Sequence, residues 1–283
     1  MDERTHIKTR EGVWMPRIIY GTAWKKERTD RLVAEAAIRG FRGFDTACQP
    51  KHYDENRVGQ ALEQIWNASA SRGDFFVQTK FTSVDGQDPQ SIPYDPEAPL
   101  SEQVAQSFEK SQMNLRTSKV DSLVLHGPLA TFDRTLEVWR ALEKIFFDGG
   151  TRQLGVCNCT SLDYLQSLWA EAKVKPAVVQ NRFYAQTNYD TRLRRWCREN
   201  DVVYQSFWTL SANPHLLKSE ALTSVSLTHN KTPAQILFRY LIDRGIVPLT
   251  GTTSPAHMEE DLEVLQFSLS SKQTRIIDTL FNR

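Results

Sequence analysis

Four residues of this 283-residue chain are of types that handle protons: the carboxylate Asp45, the phenol Tyr53, the ammonium Lys80 and the imidazole His126. Each stands at or just after the C-terminal end of a short apolar run: FRGFDT (41–46), FFVQTK (75–80) and VDSLVLH (120–126). Taken singly, each has a bland explanation. A lysine at a strand end is usually solvated, a lone histidine is more often structural, an aspartate can cap a turn, and a tyrosine can be half-buried core. Four of them in succession, all at the same ends of successive strands, point to one site if the fold brings those ends together. A parallel barrel does so.

The elements that would position them alternate along the chain. PRIIYG (16–21) reads as a strand, followed by a helix over 28–39 with Leu32, Val33, Ala36 and Ala37 on one face and Gly40 as C-cap. After the strand at 41–46, Val58, Leu62 and Ile65 mark a helix whose N-terminal end carries Asp54 and Glu55, the favourable end for acids. Strand 75–80 is followed by a helix over 104–115. Strand 120–126 is followed by an amphipathic helix over 133–147, ended by Gly149 and Gly150. Strands at 153–158, 177–181, 202–207 and 246–251 are separated by helices at 163–172, 189–200 and 233–244, the last with Thr232 as N-cap and Pro233 at its first position. Helices near 255–265 and 271–282 close the chain. Short strands that are apolar throughout are buried on both faces, as in a parallel sheet. An open doubly wound sheet would alternate in the same way, but no G-x-G-x-x-G follows the first strand. Residues 82–100 hold four prolines and no helical period, and read either as a lid or pocket wall or as a tolerated surface insertion.

Composition narrows the function classes. Thirty-five basic and 34 acidic side chains give a formal charge of +1, which argues against a nucleic-acid partner. No run of about 18 apolar residues suggests a membrane span, and the charged start MDERTHIKTREG is no secretory signal. Cys48, Cys157, Cys159 and Cys197 form neither a disulfide framework nor a zinc pattern. They read as reduced thiols of a cytoplasmic protein.

Several runs together resemble the aldo-keto reductase family. FRGFDTACQPKHYDENRVGQAL (41–62) resembles its signature, FFVQTKF (75–81) its lysine strand, VDSLVLHGP (120–128) its histidine strand and QLGVCN (153–158) its Gly-Val-Ser-Asn segment. The resemblance runs from EGVWMPRIIYGTAW (11–24) to TTSPAHMEEDL (252–262). It implies an α/β fold, a (β/α)8 TIM barrel with a short N-terminal hairpin and two C-terminal helices, in one domain over residues 1–283. It implies an NADPH-dependent oxidoreductase that reduces an aldehyde or ketone, with NADP+ as oxidised partner and NADH as the alternative cofactor. Tyr53 would be the general acid, Lys80 would lower its pKa, Asp45 would hold Lys80, and His126 would orient the substrate oxygen. Asn158 and Gln180 would bind the nicotinamide carboxamide together with Cys157, and Phe207 would stack on the ring. Thr22, Ala23 and Asp45 would lie under the cofactor. Thr250, Gly251, Thr252 and Thr253 would line its phosphates, His257 would face the 2′-phosphate, and Glu260 and Asp261 would contact the adenine. Trp24 and Trp208, with Tyr53 and His126, would wall the substrate pocket, with His52 and Tyr94 as further candidates. A monomer acting on a small carbonyl compound is the expectation.

This chain departs from the family pattern at three places. Cys157 replaces a serine and is the weaker hydrogen-bonding group. Leu249 and His257 stand where many members place a Lys and an Arg for the 2′-phosphate; an imidazole lacks the permanent charge and the fork of a guanidinium. The sequence given ends at Arg283, soon after the last expected helix, where many relatives extend a loop over the pocket, so an open pocket of broad specificity is expected. Alternative readings are the alcohol-oxidising direction with NAD(P)+, and a cofactor-sensing subunit of a potassium channel, which rests on fold analogy alone.

Overall fold

A computed structural model describes residues 2–68 and 70–281. Among them, β1 (His6–Lys8) and β2 (Trp14–Pro16) form an antiparallel hairpin. Eight further strands close a parallel barrel: β3 (Ile19–Gly21), β4 (Gly43–Asp45), β5 (Phe76–Phe81), β6 (Ser122–Leu125), β7 (Leu154–Cys157), β8 (Val178–Arg182), β9 (Val203–Phe207) and β10 (Ile246–Thr250). The helices are α1 (Thr29–Arg39), α2 (Glu55–Ala68), α3 (Leu100–Leu115), α4 (Phe132–Phe147), α5 (Leu162–Glu171), α6 (Thr191–Glu199), α7 (Pro214–Leu217), α8 (Glu220–His229), α9 (Pro233–Asp243), α10 (Pro255–Glu263) and α11 (Ser271–Asp278). The barrel, the hairpin and the two closing helices agree with the resemblance. None of the described helices is long and apolar enough to cross a membrane.

The helix boundaries follow local chemistry. Gly40 takes a left-handed backbone (φ 118°) and its N–H donates to the carbonyls of Ala36 and Ala37, ending α1 where expected. Thr232 and Gln235 form a reciprocal capping box at the start of α9, with Pro233 next to the cap. Several spans differ from expectation; the helix expected from 104 begins already at Leu100. The run 16–21 splits, because Pro16 ends the hairpin and Ile19 begins the barrel. The helix expected from 189 starts at Thr191, because Asn188, Tyr189 and Asp190 hold φ near +50°. The segment 214–229, unassigned from sequence, holds α7 and α8. The latter is rich in Ser and Thr, which mark helices weakly, and starts from a Ser219 cap that accepts from the Leu222 N–H. The helix expected over 271–282 ends at Asp278, and residue 282 lies outside the described residues.

Inside the barrel, strand alternation stacks side chains in layers. Beneath lies an apolar layer of Ile19, Phe76, Val178, Val203 and Val247, closed from below by Val13 and Met15 of the hairpin side. Above it, two residues along each strand, Gln78, Gln180 and Gln205 bind one another: the Gln205 Oε1 accepts from the Nε2 of Gln78 and of Gln180, both at 2.8 Å. The third layer is the mouth, where alternation places Lys80, Arg182 and Phe207.

Candidate active site at the barrel mouth

The centre of the mouth is an ion pair with no solvent access. Lys80 Nζ lies 2.6 and 2.7 Å from the two Asp45 carboxylate oxygens and 2.8 Å from the Thr46 carbonyl oxygen. Gln78 and Gln180 also donate to Asp45 Oδ1, at 2.7 and 3.0 Å. A buried pair of this kind persists only when its remaining hydrogen-bonding capacity is met, and the amide layer beneath meets it. Burial opposes the Lys80 charge most strongly, but the Asp45 carboxylate, together with the neighbouring Tyr53 and Cys157, outweighs it and holds the ammonium above its usual range.

Tyr53 sits at the approach to α2, half-buried, with its ring centroid 5.1 Å from Lys80 Nζ and 6.0 Å from the His126 ring. The structure therefore brings Asp45, Tyr53, Lys80 and His126 together, although they come from three βα units. The expected lowering of the phenol pKa is only half of what happens. Burial pushes Tyr53 up to about 12, and the nearby Lys80 ammonium works against that rise without cancelling it. The phenol is thus protonated at neutral pH.

His126 is held by a residue that the sequence did not single out. Thr82 Oγ1 is 2.6 Å from His126 Nδ1. Burial, with Lys80 adding to it, keeps the imidazole neutral, its pKa well below the ordinary 6.5. The Thr82 hydroxyl has no other hydrogen-bond acceptor among the described residues, and the residue as a whole is 4% exposed. Donation to Nδ1 satisfies it, whereas accepting from Nδ1–H would orphan a buried O–H. The favoured tautomer therefore carries its proton on Nε2, facing away from Thr82. The proline-rich segment secures Thr82 in turn: Tyr94 Oη donates to the Thr82 carbonyl at 2.6 Å and Gln87 Nε2 at 3.2 Å. Tyr94, one of the further candidates for the pocket wall, is buried and serves as a tether.

The tryptophans do lie at the rim. Trp24 and Trp208 are 56% and 47% exposed, and both hold a left-handed backbone, φ 63° and 56°. Such conformations cost bulky residues about 1 kcal/mol or more and collect at functional sites. The Trp24 ring lies 3.9 Å from that of His52.

The residues expected around a cofactor divide in two. Asn158, exposed with φ 54°, donates its side-chain N–H to the His126 carbonyl at 2.7 Å and leaves its Oδ1 without a protein partner among the described residues. Gln180 is buried and committed to Asp45 and Gln205; its Oε1 accepts from the Cys157 thiol at 3.4 Å. Thr22 is buried and donates to the Asp45 carbonyl at 2.9 Å, with Ala23 half-buried beside it. Phe207 is half-buried at the end of β9. Beyond β10, Gly251, Thr253 and His257 are exposed and Thr252 and Glu260 half-buried. Asp261 instead points inward and accepts the Thr250 hydroxyl at 2.6 Å, so the two brace the strand end. Burial pushes the Asp261 carboxyl up to about 6.

Lys25 completes this end and was not foreseen. It is 7% exposed and donates to the Gly251 carbonyl oxygen, yet it has no carboxylate partner among the described residues. A buried cation without an anion is costly, which makes this a place suited to a phosphate. The free Asn158 oxygen, the flat face of Phe207 and the Lys25 ammonium together fit a nicotinamide dinucleotide.

Comparison with known proteins gives the family. The model of the aldo/keto reductase family matches residues 12–282. Methylglyoxal reductase DkgA of Yersinia pestis is 28% identical, over 97% of this chain and 92% of its own. Glyoxal reductase of Bacillus subtilis is likewise 28% identical, with the same coverage of 97% and 92%. Among solved structures, an aldo/keto reductase from Brucella melitensis superposes with a TM-score of 0.83 at 26% identity, covering 97% of this chain and 98% of that one.

Proposed function

The chain belongs to the aldo/keto reductase family, and from that membership and the geometry of the mouth we propose that it reduces an aldehyde or ketone with NADPH, Tyr53 giving the proton. The observation that carries this reading is the buried Lys80–Asp45 pair set against the half-buried Tyr53 ring.

Phe207 and Asn158 would hold a nicotinamide, which would supply the hydride taken up by the carbonyl carbon. The oxygen then gathers negative charge and needs a proton. Tyr53, kept protonated by burial, donates its phenolic proton to that oxygen. The Lys80 ammonium stabilises the phenolate left behind. His126, neutral with its proton on Nε2, donates a hydrogen bond to the same oxygen and fixes its direction. Asp45 takes no proton; it keeps Lys80 charged and in place. Lys25 and the Thr252 and Thr253 hydroxyls would hold phosphate groups, with His257 near the 2′-phosphate. The Thr252 Oγ1 accepts from the Ser254 N–H at 3.1 Å, which leaves its own O–H to donate.

The test is NADPH oxidation with methylglyoxal and a panel of simple aldehydes, followed by cofactor absorbance. Turnover of about 1 per second or more is expected. No oxidation with any carbonyl would overturn the reading, and a kcat/KM favouring NADH would overturn the cofactor preference.

A further inference from the structure

Arg182 is a cation whose hydrogen-bonding capacity is untouched. It ends β8, two residues after Gln180, so strand alternation puts it on the barrel-mouth side, one layer above the amides. Its Cα is in register with that of Phe207 on β9. Its guanidinium carbon lies 4.0 Å from the Trp208 ring centroid and 5.4 Å from that of Tyr184. Among the described residues it makes no ion pair and no side-chain hydrogen bond.

Most arginines near a surface find a carboxylate or a carbonyl. Here the flat face is covered by an aromatic ring, which fixes the plane and lowers the entropy lost on binding. The five N–H donors around the edge remain open. Trp208 holds a left-handed φ of 56° while presenting that ring, so backbone strain is tolerated where the stack forms. An aromatic-backed guanidinium with a free edge is matched by a planar anion that accepts two parallel hydrogen bonds.

We propose that Arg182, backed by Trp208, is a subsite for a carboxylate carried by the substrate, so that the preferred carbonyl compounds are oxo acids whose acid group reaches across the mouth while the carbonyl lies at Tyr53 and His126. This rests on the reductase reading for the position of the carbonyl, but the anion subsite itself does not require turnover.

The experiment compares wild type, Arg182→Met and Arg182→Lys. The substrates are 4-oxobutanoate and its methyl ester, and succinate serves as a non-reducible probe in calorimetric binding. Wild type should favour the acid over the ester. Arg182→Met should lower kcat/KM for the acid roughly 10- to 100-fold, as loss of a charge-assisted hydrogen bond does, mainly through KM. The ester kinetics should be unchanged. Arg182→Lys should retain part of the preference, since it keeps the charge and loses the fork. Succinate should bind wild type and fail to bind Arg182→Met. An acid-to-ester ratio equal in wild type and Arg182→Met overturns the proposal, as does equal succinate affinity in the two. If Arg182→Met instead weakens NADPH binding and leaves that ratio intact, the cation serves cofactor phosphate and the substrate assignment is wrong. If wild type reduces no carbonyl, the reductase reading fails, and the succinate titration alone decides the subsite.

Discussion

On the side of the mouth built by β4, β5 and β6, Asp45, Lys80 and His126 are fastened by protein partners at 2.6 to 2.8 Å. Across the mouth, after β8, β9 and β10, the Arg182 guanidinium lies over aromatic faces with no hydrogen-bond partner among the described residues, while Thr253 and His257 face solvent. The first side carries charge that must already be in place when the carbonyl oxygen becomes negative, and rigid partners remove the cost of reorganising it. The second side meets ligands that bring their own charge, so its donors are left open. Lys25 lies between the two cases: buried like the first, and like the second without an acidic partner among the described residues.

The largest effect should come from the first side. Tyr53→Phe is expected to lower turnover by about 10²- to 10⁴-fold, the usual worth of a positioned general acid, while NADPH affinity is retained. Lys80→Met should lose turnover to a similar degree. It also strands the Asp45 carboxylate, so denaturant unfolding should show a loss of about 3–5 kcal/mol. Unaltered stability there would mean that the pair is not the fastening described. Lys25→Met addresses the second side: NADPH Kd should rise roughly 10- to 100-fold with kcat preserved, and an unchanged Kd would remove Lys25 from the phosphate end. Thr82→Val should cost less, about tenfold in kcat/KM from one lost hydrogen bond. Thr82→Ser should restore it, and nitrogen chemical shifts of His126 should report a mixed tautomer in the valine variant alone.

The two directions of reaction should also separate with pH. Burial raises Tyr53 from its ordinary value of 10.0 to about 12. Reduction uses the protonated phenol, so it should stay flat from neutral pH upward and fall only as pH approaches that value. Alcohol oxidation needs the phenolate, so its rate should climb over the same range. Parallel profiles for the two directions would contradict the assignment of Tyr53.

The barrel was legible because its strands are short and largely apolar and its helices carry clear caps, as at Gly40 and at Thr232 with Pro233. Asp45, Lys80 and His126 were legible for the same reason: a charged or polar side chain at the end of an apolar run stands out. What stayed hidden depends on partners brought from elsewhere in the chain. Thr82 is an ordinary threonine until the fold sets it against His126, and Lys25 gains meaning only from Gly251, 226 residues away. Gln78 and Gln205 break the apolar pattern of their strands, yet nothing in either strand says that they meet. Arg182 could have been found, since a residue two beyond Gln180 on one strand must share its face. The segment 214–229 was missed because Ser and Thr dilute its helical period.

The most direct test measures cofactor binding and chemistry on the same pair of proteins. NADPH is titrated into wild type and Tyr53→Phe by quenching of tryptophan fluorescence, and methylglyoxal is then added while cofactor oxidation is followed. The account predicts equal NADPH affinity and oxidation by wild type only. Oxidation by Tyr53→Phe at the wild-type rate would contradict the proton-donor role, and failure of wild type to bind NADPH would contradict hydride transfer at this mouth altogether.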